Sequence, residues 1–398
     1  MNSDWLIIGG GIHGVHIAAR LIVEGGVDTQ QIRIVDPAER LLSRWRACTE
    51  MTGMTHLRSP SVHNIDANPS SLERFAGRGK NRKPGLFAAP YRRPSLKLFN
   101  AHCESVIRKL GLSDLHIRAR ATACKVDCDT VSVRTQAGRE LIAENVVLAI
   151  GVSERPNWPS WALRCHPRVR HVFEPDFEGW PSCTSETVAV VGGGISAAQV
   201  ALRLADEGHQ VHLISRHALR QHQFDSNPGW LGPKYMANFS RERDLDVRRA
   251  TIVEARHRGS VPANVRRALA RSIEEGRVTW RESEVEACTG AEPLRLRLAS
   301  SEVIEVQRVL LATGFRPERP GGHMVDELIA SCSLPCARCG YPVVDAALRW
   351  HPRIHVSGAL AELELGPVAR NIAGARRAGD RIIAALSDQG HAKAKRAS

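Results

Sequence analysis

Residues 4–14 read Asp4-Trp5-Leu6-Ile7-Ile8-Gly9-Gly10-Gly11-Ile12-His13-Gly14, and this stretch decides the fold. The apolar run Trp5-Leu6-Ile7-Ile8 predicts a buried strand, and it passes directly into three glycines. Val15, Ile17, Ala18, Ala19, Leu21 and Ile22 then recur at helical spacing and stop at Gly25-Gly26. A second strand, Gln31-Ile32-Arg33-Ile34-Val35, ends at Asp36. Strand, glycine turn, helix and strand in that order make a βαβ unit.

The same plan starts again at Thr187. Thr187-Val188-Ala189-Val190-Val191 leads into Gly192-Gly193-Gly194-Ile195-Ser196-Ala197. Val200, Ala201, Leu202 and Leu204 carry a helix to Gly208, and the strand Gln210-Val211-His212-Leu213-Ile214 ends in Ser215-Arg216. After each copy come short alternating strands and a closing apolar strand with glycine. These fall at residues 123–126, 131–134 and 146–151 in the first half, and at 278–284, 294–298 and 309–314 in the second. A strand at 353–358 precedes a final helix over 372–386. The layout predicts an α/β protein of two Rossmann-like dinucleotide-binding domains (three-layer ββα type), the second inserted into the first. Residues 1–164 and 306–388 make the first domain, 165–305 the second, and 389–398 a disordered basic tail.

A pyrophosphate needs backbone N–H donors at close range and a partial positive charge to face, and a strand turning sharply into a helix N-terminus supplies both. Gly9 permits the tight turn, Gly11 lets the main chain approach the phosphates, and Gly14 lets the helix lie close to the strand. Ile12 and His13 open that helix. Gly192, Gly194 and Ala197 take the corresponding places in the second copy, with Ile195 and Ser196 opening its helix. The copies differ at the end of the following strand. Asp36 offers a carboxylate to the ribose hydroxyls of an unphosphorylated adenosine. Arg216, with His217 and Arg220 nearby, offers a guanidinium that pairs with a 2′-phosphate. The second site is therefore expected to prefer NADPH to NADH.

At 398 residues, 43% hydrophobic and 24% charged, the chain has a globular composition. No apolar run reaches the length of a membrane span, and Asp4 interrupts the place where a signal peptide is apolar. A cytoplasmic protein without a membrane partner is expected. The net charge of +13 comes from scattered residues, mostly arginines, with no aromatic ladder or helix-turn-helix, so no nucleic-acid partner is expected. The dense basic runs at 78–83 and 391–396 read as solvated loops. Ten cysteines are too sparse for a disulfide framework and point to a reducing compartment. No metal site is expected: Cys332, Cys336 and Cys339 would need a fourth ligand, for which only His323 is conveniently close, and His56 and His63 read as a polar loop.

The order of these elements resembles the single-chain, FAD- and NADPH-dependent flavin monooxygenases, most closely the lysine and ornithine N-hydroxylases. Leu148-Ala149-Ile150-Gly151 with Pro156, and Leu311-Ala312-Thr313-Gly314-Phe315 with Pro317, match the family's two crossover segments. Trp45 stands where the family places a tryptophan against the flavin. Thr55-His56-Leu57-Arg58-Ser59-Pro60 resembles the segment passing flavin and substrate, and Phe224-Asp225-Ser226-Asn227-Pro228 the loop after the NADPH strand. Gly366-Pro367 with Asn371 resembles the turn that lays a helix N-terminus toward the flavin ring. The chain departs from the family at Gly358-Ala359, where many relatives have Gly-Asp, and around His171, where the preceding Phe and Gly are missing.

The resemblance implies that FAD occupies the first turn and NADPH the second. NADPH reduces the flavin, O2 is activated on it, and one oxygen passes to a small amine-bearing substrate. Arg58 and Asn371 are the candidate catalytic donors near the ring, and Glu362 and Glu364 candidate attractors for an amine. A homo-oligomer is compatible with the sequence. Two other readings stand beside this one. Cys336-Ala337-Arg338-Cys339 has the spacing of a redox pair, as in an NADPH-dependent flavin disulfide reductase. A non-catalytic nucleotide-binding redox sensor fits the missing acid at Ala359.

Overall fold

The computed structural model describes residues 2–77, 83–180 and 185–397. Two sheets with parallel cores organise the chain, giving a mixed α/β fold. In the first, strands Ile354–Val356, Glu140–Leu148, Asn2–Ile8, Ile32–Asp36 and His116–Arg118 run parallel in that order. Arg349–His351 and the hairpin Ala121–Val126/Val131–Thr135 add antiparallel edges. The second sheet is parallel throughout, in the order Val278–Glu282, Gln210–Ser215, Thr187–Val191, Arg308–Leu311, Val169–His171. A three-stranded antiparallel sheet (Val285–Thr289, Leu294–Leu298, Val303–Val306) packs beside it.

The central strands are apolar because both faces are covered. Ile7, Ile34 and Val147 face one core and Leu6, Val35 and Leu148 the other, all essentially without exposure. Burial of side chains of this size contributes about 1.5–3 kcal/mol each. Helix Ile12–Val23 covers one face of the first sheet and packs against the final helix, Ile372–Ala397. Helix Ile195–Asp206 does the same on the second sheet, against Ala263–Glu274.

Two expectations are corrected. The boundary at 306 places Arg308–Leu311 in the first domain, but that strand is a central member of the second sheet, with Val188 opposite Arg308 and Val191 opposite Leu311. A strand buried along its whole length between two others removes more surface from water than one at a linker, and the boundary follows the burial. The tail expected to be disordered is helical to Ala397. Extending an existing helix needs no new nucleus, and Ala, Lys, Arg and Gln favour it, Gly390 alone opposing. The basic run at 78–82 lies outside the described residues.

Candidate nucleotide and active site

The two glycine turns are built alike, bond for bond. Gly9 donates its N–H to Val35 O at 2.9 Å, and Gly192 to Ile214 O at 2.9 Å. Ala149 donates to Ile8 O at 2.9 Å, and Ala312 to Val191 O at 2.8 Å. At Gly9 (φ +116°) a Cβ would stand 2.5 Å from Ala149 O, and at Gly192 (φ +154°) 2.5 Å from Ala312 O. The turn in each copy is thus pressed against the crossover strand, and only glycine fits. Gly14 passes so close to the first strand's end that a Cβ would lie 1.8 Å from Gly9 O. In the second copy Ala197 is buried, with its Cβ 3.1 Å from the position of a Cβ on Gly192.

In front of Gly11 there is no atom within 4 Å of a Cβ, an open approach of the kind a pyrophosphate requires. Both following helices start from a glycine N-cap with no capping side chain and no acidic residue in the first turn. Their N-terminal N–H groups are therefore free of competing protein anions. Asp36 has both carboxylate oxygens on main-chain donors, Gly10 N at 2.7 Å and Ala38 N at 2.9 Å, which fixes the side chain at the strand's end. Arg216 projects into solvent, 76% exposed, with Glu284 at 4.0 Å.

The crossover segments meet each other. Pro156 bridges to Phe315, Asn157 N donates to Gly314 O at 2.9 Å and Arg316 N to Arg155 O at 3.0 Å. Phe315 stacks on Phe173 at 5.0 Å. Gly314 lies on this seam, whereas a Cβ on Gly151 would meet only Ser153.

The closing segment 357–371 returns to the first turn. His13 Nδ1 bonds Ser357 Oγ at 2.8 Å, and burial pushes its pKa down to about 4. Asn371 donates its Nδ2 to Asp225 (3.2 and 3.3 Å) and accepts from Gly374 N at 3.4 Å. Arg58 likewise crosses between sheets, donating to Gln223 O at 3.0 Å, His222 O at 2.8 Å and Ser260 Oγ at 3.3 Å. Burial lowers its pKa, and the neighbouring Asp225 charge opposes that shift. Arg58 and Asn371, expected as donors to a ring or to activated oxygen, thus share the surroundings of Asp225 and hold the two halves together. Trp45 spends its indole N–H on Asn100 at 3.0 Å and packs on Phe99 at 5.3 Å, in the first core. Gly366 (φ +74°) packs on Met236, a Cβ there lying 3.2 Å from its sulfur, and Pro367 O accepts from Arg256 at 3.2 Å. His171 is buried in the second sheet with its pKa pushed down to about 4 by desolvation.

Glu362 is not an exposed loop acid but a fully buried one. It accepts from Arg370 at 2.6 and 3.0 Å, from Arg256 at 3.3 Å and from Arg249. A carboxylate so committed cannot attract an amine, which corrects that expectation. Glu364 pairs with Arg248 at 3.4 Å, and burial raises its pKa. Beside this knot a cavity of about 520 Å³ is lined by Arg155, Arg249, Arg319, Asp326, Cys339 and Tyr341, among others. Tyr341 donates its hydroxyl to Pro317 O and accepts from Arg370, both at 2.8 Å. Sequence reading missed Glu362's partners because Arg249, Arg256 and Arg370 lie on separate elements. No spacing rule joins them.

The fold and site define an oxidoreductase built around two nucleotide-type turns. The chain belongs to the pyridine nucleotide-disulphide oxidoreductase family, whose model matches residues 3–379, and with that family it is FAD- and NAD(P)-dependent. No curated protein matches it in sequence. Among solved structures it is similar to an ornithine N-hydroxylase from Kutzneria in complex with reduced FAD, NADP+ and L-ornithine (TM-score 0.77, 17% identity, 98% of this chain and 100% of that one). It is also similar to the FAD-bound cadaverine monooxygenase of desferrioxamine biosynthesis from Erwinia amylovora (0.74, 16%, 98% and 95%). A bacillithiol disulfide reductase from Bacillus cereus shares the fold too (0.63, 17%, 98% and 100%). Among the described residues no helix is long and apolar enough to cross a membrane.

Proposed function

We propose that the chain is an FAD-dependent, NADPH-consuming monooxygenase that hydroxylates a small molecule at an amine nitrogen. Each sheet is then the core of a Rossmann-like domain, the second inserted into the first. The observation that carries this is the pair of duplicated turns with opposite residues at the next strand's end, Asp36 and Arg216. The first turn, with open space before Gly11 and a carboxylate for ribose hydroxyls, fits FAD. The second, with an exposed guanidinium and an uncapped helix N-terminus, fits NADPH. Likeness of fold to N-hydroxylases supports the acceptor being an amine.

The bound flavin supplies the redox chemistry and activation of O2. This chain's own residues bind, orient and exclude water. The glycine-turn N–H groups hold phosphates, and the Arg58, Asp225 and Asn371 bonds fix how the two sheets face each other. With Glu362 engaged by three arginines, Asp225 is the exposed carboxylate at this junction, bonded by Asn371 and facing the charges of Arg58 and Arg256. The disulfide-reductase reading is less well supported. Burial pushes the Cys336 thiol up, although Arg319 lies near, whereas a redox pair needs a lowered thiol.

The test is to supply NADPH and O2 with a panel of amines, amino acids and thioethers, and to measure hydroxylated product against NADPH consumed. Product in proportion to NADPH for one amine supports the reading. NADPH loss that yields only hydrogen peroxide with every acceptor overturns it.

A further inference from the structure

We infer that Arg258 clamps the pyrophosphate of the nicotinamide nucleotide at the mouth of the second glycine turn, seated there by the ring of His217. This rests on the reading that the second turn takes NADPH.

Residues 256–260 cross in front of that turn. The nearest atom to a Cβ placed on Gly194 is Gly259 Cα, at 3.7 Å. Neither residue carries a side chain, and this is what lets the crossing segment pass within van der Waals distance of the turn. The ring of His217 is wedged between two glycines. A Cβ on Gly193 would lie 2.8 Å from its Cε1, and one on Gly259 2.5 Å from its Nε2. His217 Nδ1 is fixed to Ala218 O at 2.8 Å. The crossing segment is tied on its other side as well. Ser260 and Val261 pair with Arg220 and Gln221, His257 N donates to Asp225 O at 2.8 Å, and Arg58 reaches Ser260. Arg258 therefore sits on a fixed piece of backbone one residue from the contact with Gly194, with Arg249, Arg370 and Tyr341 as its charged and polar surroundings.

Its charge is unanswered. Among the described residues the Arg258 guanidinium has no hydrogen-bond or ion-pair partner, while Arg249, Arg256 and Arg370 beside it share the one carboxylate of Glu362. Arg256 Nε is buried with no partner. Desolvation, and after it the neighbouring charges of Arg370 and Arg249, lowers the Arg258 pKa. A corner with this surplus of cations, next to a helix N-terminus without an acid, is completed by a bound polyanion. A pyrophosphate is common to NADPH and NADH, so this contact is blind to the 2′-phosphate.

The test is equilibrium binding of NADPH and of NADH to the FAD-loaded protein, read by titration calorimetry. Arg258→Ala is expected to weaken both nucleotides by the same factor, about 10- to 100-fold, as for loss of a charge-assisted contact. Arg258→Lys restores part of the loss, and FAD content and melting temperature stay unchanged because the side chain is exposed. Gly259→Ala, which pushes on His217, reproduces the weakening while keeping the charge. Unchanged dissociation constants in Arg258→Ala overturn the assignment, as does a loss confined to NADPH or a rise only in the acceptor's KM. If the wild-type protein binds neither nucleotide, the reading of the second turn falls and takes the assignment with it.

Discussion

Asn371, at the start of the chain's last helix, donates its amide to both carboxylate oxygens of Asp225, on the loop that follows Arg220–Gln221, a short strand paired with Ser260–Val261. The same amide oxygen accepts from Gly374 N, so one side chain starts a helix and joins the two halves. Asn371→Ala removes both bonds and leaves Asp225 exposed with one partner fewer. The expected outcome is a loss of about 1 kcal/mol of stability in thermal melts, with a drop in the rate of flavin reduction by NADPH. An unchanged reduction rate would mean the junction does not set the geometry of hydride transfer.

Glu362 predicts a larger effect. Glu362→Gln leaves Arg249, Arg256 and Arg370 facing one another without a counter-charge in a buried place. Breaking a buried pair in this way costs about 3–5 kcal/mol, so denaturant titration should show a much lower midpoint or no folded protein.

The glycine turn gives a matched pair. Gly14→Ala drives a Cβ to 1.8 Å from Gly9 O, a backbone atom that cannot move without opening the turn. Loss of bound flavin and of several kcal/mol of stability, on the order of the cost of core overpacking, is expected. Gly26→Ala meets nothing within 4 Å and suffers only its positive φ of +64°, a cost of about 1 kcal/mol. Melting curves and flavin content of the two variants, side by side, check this.

Stability should fall as the solution is acidified from pH 7 toward 4. His171 and His355 are buried, and desolvation holds each near a pKa of about 4, against 6.5 in the unfolded chain. Between those values the unfolded state binds more protons than the folded one, so stability rises with pH across the window and is lost as pH drops through it. Each such histidine contributes about 3 kcal/mol over the full window at most. His171→Asn, which can still accept from Phe173 N, is expected to flatten the slope of melting temperature against pH. An equal slope in wild type and variant would contradict the assignment.

Much of this was legible in the sequence because it depends on residues close together in the chain. Leu6 to Gly14 specify strand, turn and helix by local rules, and Thr187 to Ala197 repeat them, so both turns and their flanking strands fell where expected. The junction was not legible. Glu362 meets Arg249, Arg256 and Arg370 from three directions, and Gly259 meets Gly194 across sixty-odd residues of intervening helix and strand. Such contacts follow from how the insert folds back, which no periodicity reports. Trp45 shows a further long-range pairing: the resemblance suggested it as a flavin neighbour, and Asn100 and Phe99, far along the chain, fix its N–H and one side of its ring.

Arg216 separates the two nucleotides. Its side chain is exposed, with only Glu284 at 4.0 Å, so Arg216→Ala should leave the fold intact. NADPH binding is expected to weaken about 10- to 100-fold and NADH binding to change little, since only NADPH carries the 2′-phosphate. Equal effects on both would move the arginine away from the adenosine end.

The most direct measurement is anaerobic mixing of the purified protein with reduced nicotinamide nucleotide while its flavin absorbance is followed, after the released chromophore has been identified by mass. The account predicts FAD, bleached by NADPH far faster than by NADH. A colourless protein that takes up no FAD on titration, or a flavin that neither nucleotide reduces, would contradict it.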